Sequence, residues 1–172
     1  MSDILKNDII RSTDKSICAA LQQNARTSFS GIAETLGMSV PAVSERVHKL
    51  ENMGIIEGYH AVINHEALGY DVTAFIFVDI ESSLHYPLFI ERCKALPGIM
   101  ECHAITGTAS HLLKARAQSV KALEQLLSAI QRLDGVQRTI TNLVLSTHIE
   151  TMRLPLGETV LTTNDRKKQI KE

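Results

Sequence analysis

Between Ser39 and Lys49 the chain gathers side chains suited to meeting a nucleic acid duplex. Arg46 and Lys49 can neutralise phosphates or donate to guanine edges, Ser39 and Ser44 can donate to phosphates, and Ala42 can touch a thymine methyl. Pro41, Glu45 and His48 share this outward side, because Val43, Val47 and Leu50 recur at helical spacing and turn the other side to a core. The pattern makes double-stranded DNA the leading candidate partner and leaves open which of these residues reads bases.

Presenting such a face takes two helices crossing closely. Ser30 is placed to cap the first, whose Ile32, Ala33 and Leu36 share one side, small Ala33 leaving room for the crossing. Gly37 suits the positive φ of the turn, Ser39 caps the second helix, and Pro41 falls in its first turn, where a missing N–H costs little. Upstream, residues 14–24 read as a helix with Ile17, Cys18 and Leu21 inward, completing a three-helix unit after a weakly amphipathic extension over residues 1–13. Downstream, Gly54 ends the recognition helix, residues 58–64 form an extended wing or hinge strand, and residues 65–70 are a linker.

Charge weighs against a simple reading of this face. Residues 1–64 carry six basic and seven acidic side chains, a net of −1, and the whole chain is also at −1. DNA affinity rests largely on phosphate neutralisation, so a nearly neutral reader needs symmetry or several sites engaged together, which implies an oligomer. Cys18, Cys93 and Cys102 stand too far apart for a CxxC motif, so buried free thiols are expected rather than a redox or zinc site. No apolar run is long enough for a membrane span and the N-terminus lacks a signal-peptide pattern, so a cytoplasmic protein is expected.

From Asp71 the periodicity changes. Residues 72–80 read as strand, 87–95 as helix, 99–106 and 111–117 as strands, 119–133 as helix and 136–148 as strand, the β-α-β-β-α-β order of a ferredoxin-like sandwich. Val120, Leu123, Leu127 and Ile130 form the expected apolar stripe of the second helix. In the first strand Val72, Ala74, Ile76, Val78 and Ile80 take one face while Phe75 and Phe77 take the other. Two helices cover only one face of the sheet, so the other is expected to pack on a second copy. An RNA-stacking platform at Phe75 and Phe77 is disfavoured, because aromatics are only 4% of the chain and no basic residues surround them.

The fold class is thus α+β: a winged helix-turn-helix over residues 1–64, a sensing and assembly domain over 65–150, and a tail over 151–172. The tail ends in a basic run from Arg166 to Lys171, expected to be solvated, and could cross to a neighbouring copy.

Ordered motifs along residues 10–150 resemble the Lrp/AsnC regulators. They include Asp14-Lys15-Ser16-Ile17, Asn24-Ala25-Arg26-Thr27, Leu36-Gly37-Met38-Ser39, Arg46-Val47, Leu50-Glu51, Gly54-Ile55-Ile56, Gly58-Tyr59, Leu96-Pro97-Gly98, Glu101-Cys102-His103 and Thr106-Gly107. The resemblance implies a DNA-binding regulator, a sandwich that dimerises and often assembles to tetramers or octamers, and an amino-acid effector held between dimers. It places the candidate pocket at Thr106, Thr108, Ala109, Ser110, Gln137 and Thr139, with no metal and no cofactor. Family members often carry acidic residues after that glycine, where this chain has Thr108-Ala109-Ser110, so an ammonium-binding carboxylate is missing from the turn, with backbone carbonyls or Glu101 as the substitutes.

Two other functions share this architecture. A metabolite sensor without a DNA partner would fit the near-neutral N-terminal half, and a haem-precursor decarboxylase would use histidines such as His103, His111 and His148. The enzyme reading leaves the intact recognition helix unexplained, and the sensor reading gives the helical domain only a role in assembly.

Overall fold

The computed structural model describes residues 10–156, so the sequence expectations for residues 1–9 and for the basic run at 166–171 lie outside it. The described chain divides into two compact units, one of residues 10–62 with 151–156, the other of residues 63–150.

In the first unit α1 (Ser12–Gln23), α2 (Phe29–Leu36) and α3 (Val40–Asn52) pack around Ile17, Leu21, Ile32, Ala33, Val43, Val47 and Leu50. Helix α1 begins two residues before its sequence expectation, where the Asp14 carboxylate reaches back to accept the Arg11 backbone N–H at 3.0 Å. Ser28, not Ser30, caps α2: its oxygen accepts the Gly31 N–H at 3.2 Å. Gly37 adopts φ 63° at the turn and Ser39 caps α3 through the Ala42 N–H, with Pro41 in the first turn. After α3, Gly54 (φ 66°) breaks the helix, and Ile55 and Ile56 donate back to the Leu50 carbonyl. Residues 57–64 carry no strand pairing among the described residues, so the expected hinge segment forms no ladder here.

The second unit is a four-stranded antiparallel sheet in the order β2-β3-β1-β4, with β1 (Val72–Ile80), β2 (Ile99–Ala104), β3 (His111–Ala117) and β4 (Val136–Leu143). Helices α4 (Tyr86–Ala95) and α5 (Val120–Gln131) supply Phe89, Cys93, Leu126 and Ile130 to a core shared with Ile76, Val78, Ile80, Leu113 and Ala115. Leu126, not Val120, belongs to the buried stripe of α5; Val120 is the first residue after the Ser119 cap and is 66% exposed. Strand β4 ends at Leu143, short of its expected end: the Val144 N–H still goes to Thr73 O, and β1 begins at Val72, so in this register His148 has no partner on it. Strand β2 likewise ends at Ala104, where Ile105 turns to donate to Ser110 O. Cys93 is buried, whereas Cys18 and Cys102 are half-buried.

Candidate nucleic-acid interface and effector site

Helix α3 is held from beneath by Val43, Val47 and Leu50, each at most 3% exposed, and this fixes what it offers outward. Ser39, Pro41, Glu45, His48 and Lys49 are exposed, while Ala42, Ser44 and Arg46 are half-buried. Arg46 is not free: its Nη1 lies 2.7 Å from the Asp14 Oδ1, tying α3 to α1. Asp14 therefore does two things, capping its own helix with one oxygen and pairing Arg46 with the other. Farther along α3, Glu51 joins two partners, accepting from His48 Nδ1 at 3.1 Å and from the Tyr59 hydroxyl at 2.8 Å. Burial first, then this hydrogen bond and the carboxylate charge, push the Tyr59 hydroxyl pKa up to about 12, so it remains a donor. Sequence reading had no reason to single out Asp14, Glu51 or Tyr59 as contacts of this face; the only local signal was the spacing of His48 and Glu51, three apart on one helix.

In the sandwich, Val78 on β1 stands opposite His111 on one side and Thr139 on the other. The turn over residues 107–110 and the start of β4 thus share one end of the sheet, two strand spacings apart, or about 10 Å. Gln137 and Thr139, with Gln131, Val136 and Arg138, line an open depression of about 400 Å³. Gln131 Nε2 donates to the Thr139 hydroxyl at 2.8 Å, bracing the end of α5 against β4. Thr106, Thr108, Ala109 and Ser110 do not line it within one chain; Thr106 and Thr108 are exposed, and the Ser110 hydroxyl is spent on Val78 O at 3.1 Å. Glu101, the side chain considered in place of the missing carboxylate, is already engaged. It lies on β2, at the opposite edge of the sheet, and is bound to Lys114 and His103, each at 3.1 Å, hydrogen bonds that hold its pKa below the usual range.

The three histidines considered for catalysis occupy unrelated settings. His103 pairs with Glu101, His148 meets the Ser146 hydroxyl at 3.3 Å, and His111 is 1% exposed. Because Ser110 Oγ donates to Val78 O, it accepts from His111 Nδ1, and the buried Nε2 is left without a partner among the described residues. Tyr86 and Phe89 pack around that ring, at centroid distances of 4.7 and 5.1 Å. Burial lowers the His111 pKa from its ordinary 6.5.

Two family models match the chain: a winged helix-turn-helix DNA-binding domain over residues 10–57 and the Lrp/AsnC ligand binding domain over residues 73–154. The regulatory protein AsnC of Escherichia coli is 34% identical over 146 residues, covering 84% of this chain and 96% of AsnC. The transcriptional regulator FL11 of Pyrococcus furiosus is 30% identical, covering 86% of this chain and 97% of its own length. Among solved structures, E. coli AsnC superposes with a TM-score of 0.78 over 86% of this chain and 99% of its own. A feast or famine regulatory protein of Mycobacterium tuberculosis complexed with L-methionine, 30% identical, superposes with a TM-score of 0.79 over 84% of this chain and 98% of its own. With a three-helix unit shaped for a DNA groove, an antiparallel sandwich behind it in sequence, and relatives alike over nearly their whole length, this chain belongs to the Lrp/AsnC family of transcriptional regulators.

Proposed function

We propose that this regulator engages double-stranded DNA through the outward face of α3, at Ser39, Pro41, Ala42, Ser44, Glu45, His48 and Lys49, and that Arg46 serves chiefly to hold that helix in place. The observation carrying this reading is the packing of α3, whose Val43, Val47 and Leu50 are buried while the opposite side stands open. Two copies associate through the outer sheet face, where Phe77 lies between Leu112 and Ile140 in register and Phe75 is 37% exposed. Dimers assemble further, to tetramers or octamers, which multiplies the contacts a near-neutral unit makes with DNA.

The depression at Gln131, Gln137, Arg138 and Thr139 takes a small amino-acid effector. Its guanidinium suits a carboxylate, and the turn residues Thr106, Thr108, Ala109 and Ser110 of a neighbouring dimer close over it. The L-methionine held by the mycobacterial relative supports this ligand class. No helix among the described residues is long and apolar enough to cross a membrane, consistent with work in the cytoplasm alongside DNA.

Gel-shift titration against the chain's own upstream region, across salt concentrations and with single amino acids added, tests the whole reading. Specific binding that weakens with salt and shifts with one amino acid is expected. Binding indifferent to every amino acid would remove the effector, and no binding to this region or to a random duplex pool would remove DNA.

A further inference from the structure

We propose that His48 reads an exocyclic amino group in the major groove, adenine N6 or cytosine N4, through its Nε2, with Glu51 and Tyr59 as positioning residues. The inference rests on the DNA-binding reading above and adds a named atom with a named chemistry.

The geometry follows from what each group can donate. A carboxylate only accepts, so the 3.1 Å contact between His48 Nδ1 and Glu51 Oε2 places the imidazole hydrogen on Nδ1. In the neutral ring Nε2 then carries a lone pair and no hydrogen. The His48 side chain is 67% exposed and that of Glu51 is 36% exposed, so the ring stands out from the helix while its anchor sits lower. The other Glu51 oxygen is held at 2.8 Å by the Tyr59 hydroxyl, which comes from the segment after α3. The carboxylate is thereby fixed from outside the helix as well as along it, and the imidazole inherits a preferred orientation that an isolated pair three residues apart would not give. Lys49, by contrast, is a flexible ammonium with no hydrogen-bond partner among the described residues, suited to phosphates rather than to one base. A bare ring nitrogen on the exposed side of α3 matches the donors that adenine and cytosine present in the major groove and is mismatched to the acceptors O6 and N7 of guanine.

The test is in vitro selection from a random double-stranded DNA pool at pH 8, above the ordinary imidazole range, using the full chain as wild type, His48→Ala, Glu51→Ala and Tyr59→Phe. Wild type is expected to enrich a two-fold site in which one position per half-site prefers adenine or cytosine about tenfold to a hundredfold. His48→Ala should relax that position alone. Glu51→Ala and Tyr59→Phe should weaken preference at the same position in part, Tyr59→Phe keeping the ring and hence the packing. The slope of affinity against salt should be the same for all four proteins. A His48→Ala profile identical to wild type overturns the proposal. So does a uniform loss at every position with a salt slope shallower by about one, the mark of a phosphate contact. If wild type enriches nothing, the DNA-binding reading itself fails.

Discussion

Removing the Asp14 carboxylate should loosen the helical unit far more than its position near the start of the first helix suggests. Asp14→Ala deletes the hydrogen bond to the Arg11 N–H, a cap interaction of about 1 kcal/mol, and the 2.7 Å charge-assisted bond to Arg46. Hydrogen bonds to charged groups contribute roughly 1.5–3 kcal/mol. Asp14 is 12% exposed but Arg46 is 27% exposed and can turn to water, so the low end applies and the combined loss is about 2–3 kcal/mol. Native-state hydrogen exchange of the full chain reads this locally: amides of α1 and α3 should open that much more easily, while amides of β1 and β3 stay unchanged as an internal control. Arg46→Ala should cost less, because the Arg11 cap survives. In the double variant the two losses should overlap by about 1–2 kcal/mol. Additivity within roughly 0.5 kcal/mol would show that the pair contributes nothing and would return Arg46 to the set of freely available DNA contacts.

The sandwich should lose stability in mild acid. His111 has a lowered pKa in the folded chain, so unfolded chains bind its proton first; stability is full above about pH 6.5 and falls as pH drops toward the folded value. His111→Phe should remove that slope in denaturant melts and, by deleting the orphaned Nε2, hold or raise stability by up to about 2 kcal/mol at neutral pH; a loss would refute the orphan argument. Ser28→Ala should destabilise α2 by about 1 kcal/mol, and Ser30→Ala by clearly less, as read by urea midpoints. Phe75→Asp should drive the assembly to monomers in light scattering without lowering the melting point of the isolated sheet; an unchanged mass would place the dimer contact elsewhere.

Much of the fold is legible because local rules and global packing agree. Gly37, Ser39 and Pro41 each have one sensible role, and the turn forms as their types require. Strand β1 has its expected bounds because its alternation is long and uninterrupted. The misses share a cause: two placements satisfied the same local rule. Ser28 and Ser30 both cap acceptably, and only the Gly31 N–H decides between them. The stripes 120-123-127-130 and 123-126-130 both fit a helix; Leu123, Leu126 and Ile130 are buried with Leu127 packed beside them, and of these positions Val120 alone is exposed. Strand β4 cannot reach the expected His148, because its partner β1 begins at Val72, opposite residue 145 in this register. At the site, the exposed side of α3 follows from periodicity, but the capture of Arg46 by a residue 32 positions earlier does not. Nor does the far-edge position of Glu101, which strand order alone determines.

The tie between Asp14 and Arg46 also bears on where the protein spends its time in a cell. Random sequence attracts a regulator almost entirely through phosphate charge, and a genome offers about a million or more such sites. A recognition helix that neutralises one of its own cations gives up affinity for all of them together, while contacts to particular bases are untouched. Fewer molecules are then held on irrelevant DNA, and a larger free pool remains to reach the correct site. With the assembly proposed above, occupancy of the correct site becomes a matter of how many copies arrive joined, so modest changes in assembly translate into large changes in which promoters are covered.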